Sequence, residues 1–294
     1  MSERRIPALV ISGFLGSGKT TLVRVLLEEA RRAGERVALI SNELGELGVD
    51  RALLGGGGEA FVELEGGCVC CELSDDLVRT LQMLWERVKP DRVVIETSGA
   101  ALPFDTTLNF WREPVSRWIG EDTAAVVVDA EQVLEGRDLE GVFADQVASA
   151  DLLVLNKIDL VPPERLPEVE DRLRAIEPDA PIIRAARGQV DPALFFPPEP
   201  GAVDRSGKPP AAAPHDHESF ETRVELVAAG IPAAELESSL RRPDLVRAKG
   251  FVETADGLRL VQVVGRRVEL TEVEVAPDPS LVGRLLLISR ARIS

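Results

Sequence analysis

The sequence predicts an α/β fold, a mostly parallel sheet flanked by helices, with a small α+β domain at its C-terminal end. Three observations predict it. Short β-branched runs alternate with helical stretches up to about Ala186, the pattern of a parallel sheet covered on both faces. A glycine-rich segment separates the first apolar run from the first amphipathic one. Beyond it, "DPALFFPPEPGAVDRSGKPPAAAPHDHES" is crowded with proline and small residues, as a linker is, and the rhythm changes after it. The expected division is a domain at 1–190, a linker at 191–218 and a second domain at 219–294.

The elements follow in order. "PALVISGFLGSGKTTLVRVLLEEARRAGERVALISN" reads as strand, glycine loop, helix and strand. Leu22, Val25, Leu26 and Ala30 share one helical face, and Gly34 stands where a C-terminal cap belongs. "DRVVIE", "TAAVVVDA", "ADLLVLN" and "APIIRA" are the next strands, with helices expected over residues 75–89 and 163–177. After the linker, "FETRVELVAAG", "LVRAKGFVET", "GLRLVQVVG", "RRVELTEVEV" and "RLLLISR" read as antiparallel strands around a helix at "PAAELESSLRR". Gly257 and Gly265 mark hairpins.

The bulk properties exclude several classes of function. With 45% hydrophobic and 29% charged residues, 294 residues suffice for one large and one small core. A net charge of −16 argues against a nucleic-acid partner, because phosphates demand a basic face. The apolar stretch near the N-terminus runs into glycines and a lysine, not into a cleavage site. No apolar run approaches the roughly 20 residues of a membrane span. The expectation is a cytoplasmic protein with no membrane partner.

"GFLGSGKT", residues 13–20, has the two glycines, lysine and hydroxyl of a phosphate-binding loop, so the α/β fold is expected to be that of a P-loop NTPase. Backbone N–H groups around Gly13, Gly16, Ser17 and Gly18 would cradle phosphate oxygens at the positive end of the next helix, with Thr21 completing the motif. Lys19 would reach the β- and γ-phosphates, and the Thr20 hydroxyl would coordinate Mg²⁺. In "VVIETSG", Glu96 ends a strand where a Mg²⁺-facing acid belongs, and Gly99 lies in a turn whose N–H could meet a γ-phosphate. A solvated strand-end charge is the alternative for Glu96. "NKID", with Asn156, Lys157 and Asp159, also follows an apolar strand. A carboxylate there accepts from guanine N1–H and the 2-amino group together, which adenine cannot match, so the expected nucleotide is GTP. Glu43 and Glu46, in the loop "SNELGELGVD", are candidates for metal or for Mg²⁺-bound water, or else solvated loop glutamates.

Every cysteine of the chain lies in "GGCVCC": Cys68, Cys70 and Cys71. Neighbouring Cys70 and Cys71 would close only a strained ring. Clustered thiolates suit zinc and other soft cations. A buried structural trio and a redox switch are the other readings.

Taken in order, the phosphate loop, "NELGE", "GCVCC", "ETSG" and "NKID" resemble the CobW-type GTPases, metallochaperones and metal-insertion proteins related to the urease and hydrogenase maturation GTPases. "LVRAKGFV" looks like that family's C-terminal domain. The resemblance implies that Cys68, Cys70 and Cys71 hold Zn²⁺ or Co²⁺, and that Glu96 stands where many GTPases have aspartate. A tetrahedral site then wants a fourth ligand: Glu46, water or a group from a client metalloprotein. The implied activity is Mg²⁺-dependent GTP hydrolysis that controls metal delivery to that client, by a monomer or homodimer. Many relatives carry a long histidine-rich linker; this chain has only His215 and His217, as "HDH". Two other classes are a metal-storage module with structural nucleotide and a P-loop small-molecule kinase. GTP turnover dependent on Lys19 separates the first, and "NKID" argues against the second.

Overall fold

The computed structural model describes residues 5–41, 60–63, 73–197, 220–265, 267–273, 279 and 282–290. Cys68, Cys70, Cys71, Glu43, Glu46, His215 and His217 lie outside the described residues. The chain divides into two compact units, one of Met1–Pro178 and Ile182–Val190, the other of Asp179–Pro181 and Asp191–Ser294.

The first unit is built on a seven-stranded sheet of β1 (Ile6–Ser12), β2 (Val37–Ser41), β3 (Ala60–Glu63), β4 (Arg92–Glu96), β5 (Ile119–Asp129), β6 (Leu152–Asn156) and β7 (Ile182–Arg184). Their order is β3-β2-β4-β1-β5-β6-β7, and every neighbouring pair is parallel. Helices α1 (Lys19–Ala33), α2 (Leu73–Val88), α3 (Pro103–Thr107), α4 (Ala130–Glu135), α5 (Val142–Ala148) and α6 (Leu166–Ile176) connect them. β6 is buried along its whole length and β2 likewise, as strands covered on both faces must be.

Chain and packing agree closely at α1. Its buried stripe is Leu22, Val23, Leu26, Leu27 and Ala30, broader than the expected face, with Val25 only half-buried. Gly34 caps it at φ 73, donating its N–H to Ala30 and Arg31 carbonyls. α2 starts two residues before the expected position and stops where Lys89 turns to φ 52, with its ammonium over the Trp85 ring. Trp85 stacks on Trp118 at 4.9 Å in the core between β1, β4 and α2. α6 is shorter than expected, because residues 163–165 form a separate 3₁₀ turn. β3 has no counterpart among the expected strands. Ala-Phe-Val-Glu is too short and too mixed to announce itself, and its parallel pairing with β2 is what makes it a strand.

β1 is the pivot of this sheet. Strands β4, β2 and β3 lie to one side of it and β5, β6 and β7 to the other, so the chain reverses its winding beside β1. Ligands of open α/β sheets bind at such a reversal, outside the carboxyl ends of the strands. Ser12, Ser41, Glu96, Asp129 and Asn156 are the last residues of their strands and all fall at that edge.

The second unit is an antiparallel sheet of β8 (Phe220–Leu226), β9 (Leu245–Thr254), β10 (Gly257–Val264), β11 (Arg267–Glu272) and β12 (Arg284–Arg290), in the order β11-β10-β9-β12-β8. Helix α7 (Ala233–Leu240) contributes Leu236 and Leu240 to a core with Val252, Val261, Val263, Leu285 and Leu287. Each such side chain contributes about 1.5–3 kcal/mol on full burial. Gly257, at φ 109, makes the β9–β10 hairpin, where a side chain would be strained. Among the described residues no helix is long and apolar enough to cross a membrane.

Candidate nucleotide site

The site begins with backbone. Between β1 and α1 the chain must turn sharply, and two glycines allow close approaches no other residue permits. A Cβ at Gly13 (φ 137) would lie 2.2 Å from the Val127 carbonyl oxygen. One at Gly18 (φ 102) would lie 2.2 Å from Asn156 Nδ2. Gly18 is also the N-cap of α1 and has no side chain to occupy the helix end, leaving the first N–H groups of α1 facing the loop.

Side chains fill in the rest. Lys19, only 4% exposed, donates from Nζ to the carbonyls of Gly13 at 3.0 Å and Phe14 at 3.3 Å. The Ser17 hydroxyl is buried without a hydrogen-bond partner among the described residues. Glu96 is 1% exposed and takes two hydroxyl donors, Thr20 Oγ1 at 2.7 Å and Ser41 Oγ at 3.1 Å. A buried carboxylate with two hydroxyl oxygens is a hard oxygen set, which fits Mg²⁺. Beyond Glu96, Thr97 donates its N–H to Ile11 at 2.9 Å, so the following turn begins against β1. Gly99 lies so close to the phosphate loop that a Cβ there would stand 3.1 Å from the Leu15 nitrogen.

A second cluster forms at the end of β6. Asn156 is structural glue: Nδ2 donates to the Ser17 carbonyl at 2.9 Å, and Oδ1 accepts from Gly188 N–H at 3.0 Å. It thereby ties the phosphate loop to the loop after β7. Lys157 takes a left-handed conformation, φ 61, and its ammonium pairs with Asp129 Oδ2 at 2.7 Å. Asp129 also caps α4, accepting from the N–H groups of Glu131 and Gln132. Asp159 is open to solvent, with Arg187 Nε 3.8 Å from its Oδ2.

Gly13, Gly16, Ser17, Gly18, Lys19, Thr20, Thr21, Glu96, Gly99, Asn156, Lys157 and Asp159 thus share one edge of one sheet. Sequence reasoning passed over four contributors. Ser41 closes on Glu96, Asp129 holds Lys157, and Gly188 abuts the first turn of α1. Gln146 of α5 donates from Nε2 to the carbonyls of Gly99 at 3.1 Å and Ala101 at 2.9 Å. Only the glycine of "ARGQV", following a strand at the same sheet edge, carried a local signal.

A glycine-turned loop between β1 and α1, a buried lysine inside it, and an acid beside a hydroxyl define a P-loop nucleotide-binding domain. Residues 7–184 match the family described as "CobW/HypB/UreG, nucleotide-binding domain". The chain belongs to that family. It is 35% identical over 312 aligned positions to the zinc chaperone CobW of a Sinorhizobium species, covering 91% of this chain and 88% of that one. It is 32% identical to the zinc chaperone YeiR of Escherichia coli, covering 84% and 74%. Its fold is similar to that of the crystal structure of Zn(II)-bound YjiA GTPase from E. coli, with a TM-score of 0.53, 24% identity, and coverage of 98% and 95%.

Proposed function

We propose that this protein is a Mg²⁺-dependent GTP-hydrolysing metallochaperone. It takes zinc or cobalt on the thiolates of Cys68, Cys70 and Cys71 and gives the metal up to a client protein under control of the GTP cycle. The observation that carries the reading is the convergence of Thr20, Ser41 and the buried Glu96 beside Lys19, with the solvent-open Asp159 at the same sheet edge. The zinc-chaperone relatives supply the cargo.

The chemistry follows from charge. Lys19 exchanges two backbone carbonyls for β- and γ-phosphate oxygens, and the first N–H groups of α1 meet the same anion. The Ser17 hydroxyl, without a partner among the described residues, would find one there. Thr20 and Glu96 would hold Mg²⁺, which would supply positive charge against the phosphate oxygens. Gly99 N–H would meet the γ-phosphate, and Asp159 would accept from the guanine edge while the Lys157 stem lies along the base. None of these residues is an activating arginine, and slow intrinsic turnover is the expectation.

The test is coupling. If the cycle governs the cargo, Mg²⁺ with a GTP analogue tightens Co²⁺ binding, and Co²⁺ tightens nucleotide by the same factor, about five- to 150-fold for a switch. Thiolates lose protons on binding, so affinity rises with pH. Co²⁺ absorption titrated with analogue, with GDP and without nucleotide reads all three states. Cys70→Ser removes the charge-transfer band and His217→Ala leaves it. Equal Co²⁺ affinity in the three states would refute the chaperone cycle and leave a GTPase that merely contains a metal site.

A further inference from the structure

We infer that Gln146 is a positioning residue that clamps the turn after β4 and sets the geometry in which its backbone meets the γ-phosphate. The inference rests on the GTPase reading above. Gln146 is 1% exposed on a helix of seven residues, and its Nε2 spans two carbonyls two residues apart, those of Gly99 and Ala101. Both partners are acceptors, so the amide must present its NH₂ to the turn. The cost is visible at the other end of the same group. Oε1 is buried with no hydrogen-bond partner among the described residues. Leaving a buried amide oxygen unmet is tolerated only against a gain, and here the gain is the double donation to the turn.

The turn is held from the other side as well. Ser12, the last residue of β1 before the phosphate loop, donates its hydroxyl to the same Ala101 carbonyl at 2.8 Å. Gly99 rests against Leu15 of that loop. The turn therefore lies between the phosphate loop and α5, and Gln146 is the tie to α5. The Gly99 carbonyl lies in the peptide plane that follows the Gly99 N–H, so holding it restrains that N–H from the next plane. The plane of the N–H itself is held through the Ser98 carbonyl, which accepts from Ala101 N–H at 3.1 Å. A donor aimed before the reaction begins costs no reorganisation during it. GDP has no γ-phosphate, so the clamp should matter to turnover and not to GDP affinity.

The experiment uses the full chain with Gln146→Leu, which keeps bulk and removes the donor, and Gln146→Glu, which puts acceptors where donors were. For Gln146→Leu, kcat falls about ten- to hundredfold, the scale of a slightly misplaced reacting group. KM for GTP and the Kd for GDP stay within about threefold, because only a transition-state contact is lost. In the nucleotide-free protein, amide exchange at residues 99–101 quickens. Gln146→Glu is more impaired at neutral pH, its carboxylate facing two carbonyl oxygens. It regains activity relative to wild type on acidification, once the introduced carboxyl carries a proton to donate. Wild-type kcat in Gln146→Leu, or equal losses in kcat and GDP affinity, would overturn the inference. If the unaltered protein did not hydrolyse GTP, the GTPase reading would fall, and the exchange measurement would still decide whether Gln146 clamps the turn.

Discussion

The two ends of the seven-stranded sheet use the same kinds of residue and connect them differently. At the amino ends, polar groups have settled partners: Arg92 Nη2 meets Glu35 Oε1 at 2.6 Å, Arg36 Nε meets Asp91 Oδ2 at 3.2 Å, and Asp151 accepts the Ala124 N–H at 2.8 Å. At the carboxyl ends, beside fixed ties such as those of Asn156 and the Lys157–Asp129 pair, stand contacts that a ligand can replace. Lys19 leans on two loop carbonyls, Glu96 on two hydroxyls, Asp159 on a distant arginine, and the Ser17 hydroxyl on no described residue. An ammonium gains more from phosphate than from neutral carbonyls, since charge-assisted bonds are about twice as strong as neutral ones. The amino end therefore serves stability and the carboxyl end serves binding. Changes at the two ends should fail in different assays.

The largest effect is expected at the carboxyl end. Lys19→Ala removes the one basic side chain in the phosphate-loop sequence, residues 13–20. Turnover should fall by about 10²–10³-fold or more, as when one preorganised charge donor is lost. Thermal stability should fall by no more than about 1–3 kcal/mol, the cost of leaving the buried Gly13 carbonyl unmet. Steady-state phosphate release beside a melting curve checks both halves. Wild-type turnover would remove the phosphate-loop assignment.

A smaller effect belongs to the base. Asp159→Asn keeps shape but exchanges one of two acceptor oxygens for a donor. Hydrogen bonds to a charged group contribute about 1.5–3 kcal/mol, so GTP affinity should drop about ten- to 150-fold while ATP affinity hardly moves. Competition binding reads the ratio. Equal affinity for GTP and ATP before any substitution would already refute the guanine assignment.

What the chain reveals as text follows the same division. The phosphate loop and "NKID" are legible because their chemistry is carried by adjacent residues. The strands of the sheet centre are legible because burial on both faces forces unbroken apolar runs, as in "LLVLN". Gln146, Ser41, Asp129 and Gly188 are not, because each acts through a partner brought near only by folding. Ser41 and Glu96 are 55 positions apart, and Asn156 and Ser17 are 139 apart. A glutamine on a short helix has no periodicity that marks it as a clamp. β3 is hidden for a related reason, since pairing with β2 and not its composition makes those four residues a strand.

The smallest effect sharpens the comparison from the other side. Burial pulls the Arg92 guanidinium below its ordinary range, and Glu35 opposes that shift, so the charge is held against desolvation by its partner. The Glu35 Oε2 atom is buried without a hydrogen-bond partner among the described residues, and its other oxygen is bonded to Arg92. Arg92→Met should therefore strand a half-buried charge and cost about 1–3 kcal/mol. In a unit of this size each kcal/mol lowers the Tm by about 2–4 °C. Arg36→Ala breaks a more exposed pair and should cost no more than about 1 kcal/mol. Both should leave kcat and KM for GTP unchanged below the melting range, since the whole length of β4 separates Arg92 from Glu96. Urea denaturation of both variants with parallel kinetics measures this. A loss of turnover in Arg92→Met at full folding would show that the amino end also governs the site, and the division between the two ends would have to be abandoned.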